Sequence, residues 1–204
     1  NTIGAYKRIV DGTSDIGLLA KPSQEQLDYA ASKGVELKMV PIGYEAFVFL
    51  VNTNNPIESL TTDEVRGIYT GKYNNWKEFC NFNREILPIQ RASNSGSQTT
   101  FLNFMKDDKD NTISKSLNRF GSPIGYSFRF YVEEVIRNGK VKAIGLNGVQ
   151  PTKENIINKT YPIVSTIYAV YSSKNTNPNT TKVIDWIKSG LGQTIIDECG
   201  YVKL

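Results

Sequence analysis

The sequence predicts an α/β fold, from three observations. Amphipathic helical segments alternate with short apolar, strand-like runs along most of the chain. Two helices open on capping-box spacings, and glycines stand where the helical periodicity stops. One run, Ala46 to Val51, is continuously apolar and bounded by turn residues, as expected for a strand buried on both faces of a parallel sheet.

The elements follow in order. Ser23-Gln24-Glu25-Gln26 has the S-x-x-Q form of a capping box and opens a helix with Leu27, Ala30 and Ala31 on one face, stopping at Gly34. A short strand from Leu37 to Val40 precedes the apolar run and is separate from it. Thr61-Thr62-Asp63-Glu64 caps a helix through Val65, Ile68 and Tyr69 that ends at Gly71. Ile86 to Gln90 reads as a strand, and Ser97 to Met105 as a helix with Phe101, Leu102, Phe104 and Met105 inside. A helix around Phe130–Arg137, a strand Val141–Leu146 and a strand Thr166–Tyr171 come next. One last helix runs from about Thr181 to Gly200, carrying Val183, Ile184, Ile187, Leu191, Ile195 and Ile196. Ser172 to Thr180, rich in Asn, Ser and Thr, is the nearest thing to a linker. Trp76 and Trp186 are expected in the core, and Phe128, Phe130 and Tyr131 on a helix packing face.

Composition excludes several function classes. The chain has 204 residues and a formal net charge of +4. Its Lys and Arg are scattered among acids, without the basic stripe of a nucleic-acid binder. It contains no histidine, which removes Ser-His-Asp and Cys-His catalysis and every His-based metal site. Cys80 and Cys199 have no metal-ligand spacing and are compatible with one disulfide or two free thiols. Asp107-Asp108-Lys109-Asp110 lacks the glycine and distal glutamate of a calcium loop and reads as a solvated turn. No metal and no cofactor are expected. No apolar run approaches the roughly 20 residues that span a bilayer. Asn1 to Tyr6 has neither a basic nor an apolar signal region, and with no initiator Met the N-terminus looks cut.

The stretch from Gln90 to Phe101 carries the most chemistry. A strand ends in Arg91, and a Ser/Gly loop, Ser93-Asn94-Ser95-Gly96-Ser97, leads straight into a helix. The first backbone N–H groups of a helix have no partner within it, and the helix dipole adds positive potential there. Ser95 or Ser97 can cap the helix, and Gly96 lets a ligand approach the backbone closely. Arg91 adds a planar fork that pairs with two oxygens of an oxyanion. The same pattern also fits a plain turn and cap, with Arg91 in a surface salt bridge. It is neither a Walker A loop, lacking the Gly-Lys-Ser/Thr ending, nor a nucleophile elbow, lacking Gly-x-Ser-x-Gly.

This stretch resembles the arginine-to-serine loop of the phosphate-binding proteins of ABC transporters, in the type 2 periplasmic binding-protein class. Other segments resemble that family in the same order. They are Val10 to Gly17, Glu45 to Asn52, Leu60-Thr61 with Ile68 to Lys72 and Asn75-Trp76, the turn Gly121 to Tyr126, Tyr161-Pro162, and Gly192-Gln193 with Gly200 to Val202. The resemblance implies a two-lobed type 2 periplasmic-binding-protein-like fold. Lobe 1 would be residues 1–50 plus 165–204, and lobe 2 the inserted residues 51–164. It implies that lobe 1 is incomplete, because the family's opening strand and its Gly/Ser/Thr-rich loop would precede Asn1.

Carried over by position, the family's anion ligands fall on Arg91, Ser95, Gly96 and Ser97, in a cleft between the lobes. Some members carry an aspartate that accepts a proton from the anion; here that position is Ala20. Lys21 stands where other members carry an arginine, so it is a candidate to reach the anion, a plain surface lysine being the other reading. The implied partners are inorganic phosphate or a related oxyanion and an ABC transporter permease, with no catalysis and no nucleic acid. The implied location is extracellular or cell-surface, with any membrane attachment through a lipid anchor outside this chain. The alternative is a surface adhesion or signalling protein that keeps the fold without high-affinity binding. A hydrolase built on Ser95 or Ser97 is opposed by the absence of histidine and of an S-x-x-K pair.

Overall fold

In a computed structural model, residues 2–92, 95–106, 121–136 and 139–204 are described. The acidic turn at Asp107 to Asp110 lies outside the described residues. The chain divides into two compact units. One comprises Asn1–Glu45, Asn94–Gly96 and Ser165–Leu204, and the other Ala46–Ser93 and Ser97–Val164.

In the first unit, helix α1 (Thr2–Val10) buries Tyr6, Ile9 and Val10, a stripe at i, i+3 and i+4. Strand β1 (Gly17–Ala20) pairs antiparallel with strand β7 (Val164–Ser172). Tyr6, Ile9 and Val170 form one core cluster, with Leu19, Leu37 and Tyr168 packed against it. Helix α2 (Gln24–Ser32) begins at Ser23, whose backbone N–H donates to Gln26 Oε1 at 2.9 Å. Its chain reversal passes through Gly34 at φ +61°. Helix α1 and strand β1 are not among the elements expected from the sequence.

Strand β2 (Leu37–Asn52) corrects the expectation of one strand at Leu37–Val40 and another at Ala46–Val51; Pro41 and Gly43 lie between those two runs. Both residues lie inside a single sixteen-residue strand. Gly43 is there for approach rather than for a turn: a Cβ would stand 2.9 Å from the carbonyl oxygen of Val202. Its neighbour Tyr44 exchanges backbone hydrogen bonds with Val202, at 2.6 and 3.1 Å. The stretch Ser172 to Thr180 is likewise no free linker. Asn175 and Asn177 each accept a backbone N–H two residues on, and their amides donate to Asp15.

The last helix is in fact two, α6 (Asn179–Lys188) and α7 (Gly190–Glu198). Ser189 makes the break: it is extended, donates its hydroxyl to Trp186 O at 2.7 Å and accepts from Gly192 N–H at 3.3 Å. Ile184 and Ile187 reach the core with Ile42 and Ala169. On α6, Val183 and Trp186 each sit about 100° around the helix from the buried Ile184 and Ile187, so Val183 is exposed and Trp186 is 48% exposed rather than buried; beyond the break, Leu191 and Ile195 are exposed as well. Trp186→Ala is accordingly expected to cost under about 1 kcal/mol, the size of a surface change. A denaturant midpoint shift larger than that would mean that this indole is covered in solution.

In the second unit, the far half of β2 runs antiparallel to β5 (Ser122–Phe128) and β6 (Val141–Leu146). Ala46 to Phe49 are fully buried, as expected of the apolar run, but its neighbours are antiparallel rather than parallel. The parallel pairs are β3 (Ser59–Leu60) with β6 and β4 (Ile86–Pro88) with β5. Helix α3 (Thr62–Thr70) has a complete capping box between Thr61 and Glu64 and ends at Gly71, φ +84°. Trp76 is fully buried and its indole N–H donates to Ser122 O at 3.1 Å. Helix α4 (Gly96–Met105) buries Phe101, Phe104 and Met105, while Leu102 faces out, about 100° around the helix from Phe101. Beyond β5 a π-helical segment covers Tyr131–Ile136, on which Tyr131 is exposed rather than packed. Both thiols, Cys80 and Cys199, are free.

Candidate functional site

The centre of the site is the place where the strand-end arginine meets α4. Past β4, the backbone N–H of Ile89 still donates to Ile124 O on β5, at 2.9 Å. Two residues later the ladder has ended, and the N–H of Arg91 needs another partner. It finds two: Gln98 Oε1 on α4 at 3.0 Å and the Tyr126 hydroxyl on β5 at 3.2 Å. Tyr126 donates its own hydroxyl proton to Gln98 Oε1. Gln98 Nε2 then donates to Gln90 Oε1 at 3.2 Å, closing the set.

Apolar packing holds this polar cycle in place. The Tyr126 ring is stacked on Phe101, with centroids 4.4 Å apart and planes 8° from parallel. Gln98 and Phe101 are three residues apart and so share a face of α4. Phe47 and Tyr69 close around the same ring at 5.4 and 5.9 Å. Burial raises the Tyr126 pKa, while the Arg91 amide and guanidinium pull it the other way. Burial also raises the Tyr69 pKa well above its usual value. Both phenols therefore stay protonated and donate at neutral pH, Tyr69 to Ile89 O and Ile124 O.

The Arg91 side chain is exposed, and among the described residues it has no carboxylate within ion-pair distance. Two other arginines of this unit are committed. Arg66 pairs with Asp63 at 3.0 Å, and the largely buried Arg129 pairs with Glu133. The lack of a carboxylate partner among the described residues disfavours the surface salt bridge as the reason for Arg91. Ser95 precedes α4 and is half-buried, Gly96 is its first residue, and Ser97 is 4% exposed within its first turn. The Gly96 position is also crowded, since a Cβ would come within 3.1 Å of Thr2 Oγ1.

Lys21 lies in the first unit, just after β1, with its side chain exposed. Ala20 closes β1, and its carbonyl accepts the hydroxyl of the buried Tyr6. Phe101 is buried on α4 as expected, while Gln98 and Tyr126 are site residues to which sequence reasoning assigns no role. Gly121 to Tyr126, expected as a turn, is strand β5 from Ser122 on. Nothing in the sequence spacing brings residue 126 to residue 91. Only the parallel pairing of Pro88 with Ile124 does that.

Comparison with known proteins follows the same lines. A family model described as the PBP superfamily domain matches residues 1–190. The chain is 25% identical over 209 residues to the phosphate-binding protein PstS of Bacillus subtilis, covering 97% of this chain and 67% of that protein. It is also 25% identical to the protein SphX of Synechococcus elongatus, covering all of this chain and 67% of SphX. Among solved structures, it is similar to a Clostridium perfringens protein described as a candidate phosphate ABC transporter substrate-binding protein with bound phosphate. The TM-score is 0.80 at 27% identity, over 98% of this chain and 84% of that one. An ABC-type phosphate transport receptor from Vibrio cholerae shares the fold, with a TM-score of 0.72 at 22% identity over 100% of this chain and 86% of the other.

Proposed function

Because this chain belongs to the PBP superfamily, we propose that it is a solute-binding protein that captures inorganic phosphate and delivers it to an ABC transporter permease. The observation that carries this reading is Arg91, an exposed guanidinium on a backbone anchored to the first turns of α4. The likeness to a structure with bound phosphate supports it. Arg91 supplies charge and a planar fork to two phosphate oxygens, and the Ser95–Ser97 segment supplies hydroxyls and helix N-terminal amides to the others. Lys21, exposed in the first unit, is a further candidate cation. Capture needs no bond making, and no histidine is present to serve as a base at neutral pH.

Such a protein works outside the cytoplasm, where its permease takes up the solute. No helix among the described residues is long and apolar enough to cross a membrane. Isothermal titration calorimetry of the chain with inorganic phosphate tests the reading directly. Saturable one-site binding that chloride does not reproduce is the expected result, and the absence of any phosphate heat would sink it.

Selectivity follows from Ala20. The aspartate that some family members carry at this position accepts a proton from phosphate and would face sulfate acceptor to acceptor. Ala20 does neither, so discrimination against sulfate is expected to be weaker than in aspartate-bearing relatives, and Ala20→Asp is expected to sharpen it. Competition between the two anions across pH measures this. A preference for phosphate of many thousandfold, unchanged in Ala20→Asp, would place selectivity elsewhere.

A further inference from the structure

We propose that Gln98 and Tyr126 are positioning residues for anion capture, together forming a clamp that holds the backbone of Arg91 at a set place against α4. The proposal rests on the phosphate-binding reading above and names two residues that contact no ligand but determine where the guanidinium starts.

The geometry is unusual in how many elements meet at one atom. The Arg91 N–H is shared between an acceptor from α4 and an acceptor from β5. Those two acceptors are also bonded to each other, through the Tyr126 hydroxyl and Gln98 Oε1. Strand end, helix and sheet are thus tied at one point, only one residue beyond Gln98's second partner, Gln90. Gln98 is 5% exposed and Tyr126 4% exposed. Neither can exchange these bonds for water without moving, and an unmade bond at a buried site carries the full desolvation cost. The stack of Tyr126 on Phe101 removes the remaining freedom, because the ring cannot tilt without leaving a neighbour on the same helix.

The consequence for binding is pre-organisation. Gly96 and Ser97 lie within the turn that precedes Gln98, so fixing Arg91 to Gln98 also fixes it relative to the helix N-terminus. An arginine on a loose strand end would have its backbone ordered by each binding event, and that ordering would come out of the affinity. With the clamp closed, only the side chain remains to be ordered. The clamp acts on the main chain, so it needs no particular residue at 91, yet it aids capture only if the side chain there binds the anion. That asymmetry separates a positioning role from a merely structural one.

The test uses this chain with Tyr126→Phe, which keeps the ring and removes the hydroxyl, and Gln98→Met, which keeps the length and removes the amide. Each is combined with Arg91→Ala in a double-mutant cycle, with inorganic phosphate as the probe. Each single variant is expected to weaken phosphate binding about three- to tenfold, mainly through faster dissociation. On the Arg91→Ala background the same changes are expected to alter affinity less than twofold. Hydrogen exchange of the Arg91 amide, read by NMR without ligand, is expected to speed up about tenfold or more in both variants. Equal losses with and without the arginine side chain would overturn the positioning role and leave a general packing effect. Unchanged affinity in the single variants, or unchanged Arg91 amide exchange, would overturn the clamp itself. A wild-type chain that takes no phosphate overturns the function reading and the purpose of the clamp, while Arg91 amide exchange still decides whether the clamp exists.

Discussion

Replacing Arg91 by alanine is expected to weaken phosphate binding at least about tenfold. A hydrogen bond to a charged group is worth about 1.5–3 kcal/mol, and each 1.4 kcal/mol is about a factor of ten in affinity. A guanidinium fork that makes two such bonds puts the loss above that of a single bond. The backbone N–H of residue 91 survives the substitution, so its bonds to Gln98 and Tyr126 remain and the measurement reports the side chain alone. Arg91→Lys separates charge from geometry: it restores part of the affinity through its positive charge but cannot pair two oxygens in a plane. Calorimetry with phosphate on both variants gives the answer. An affinity within twofold of wild type for Arg91→Ala would falsify the assignment of the anion site.

Gly192→Ala is expected to be the most damaging small substitution in the first unit. A Cβ there would sit 2.3 Å from Trp186 O, 2.5 Å from Ile187 O and 2.7 Å from the Ile187 carbonyl carbon. All three are main-chain atoms, so no rotamer change relieves the clash, and the α6–α7 turn must open. Overpacking commonly costs about 1–3 kcal/mol, and against backbone we expect about 3 kcal/mol or more. For a chain of this size that lowers Tm by roughly 6–12 °C. Gly190→Ala is the control, because a Cβ at Gly190 meets nothing within 4 Å. It is expected to leave Tm unchanged or slightly raised, since alanine loses less backbone entropy in a helix. Equal melting temperatures for the two variants would show that the turn is not held as tightly as the structure places it.

Local signals were legible wherever one element carries its own chemistry. The capping box at Thr61–Glu64, the glycine stops at Gly34 and Gly71, and the buried run from Ala46 need only neighbours a few residues away. The Ser/Gly segment before α4 is of the same kind, since a helix N-terminus lies where its first turn begins. Three readings failed for the opposite reason. Leu37–Val40 and Ala46–Val51 look like two strands until Val202 is seen paired with Tyr44 between them. Trp186 looks like core until Ile184 and Ile187 are seen to take the buried face of α6 and leave the indole outside it. The direction of the strands flanking β2 depends on pairing partners more than seventy positions away, such as Phe49 with Tyr126.

The sequence by itself determined the α/β class, the family likeness and the candidate anion segment around Arg91, because caps, apolar runs and ordered motifs are written in short stretches of residues. Tertiary structure alone decided that Arg91 is anchored by Gln98 and Tyr126, residues 7 and 35 positions away in the chain. The physical reason is the end of a sheet ladder. A strand's last unpaired N–H must be satisfied by whatever the fold brings alongside, and no local pattern specifies that partner.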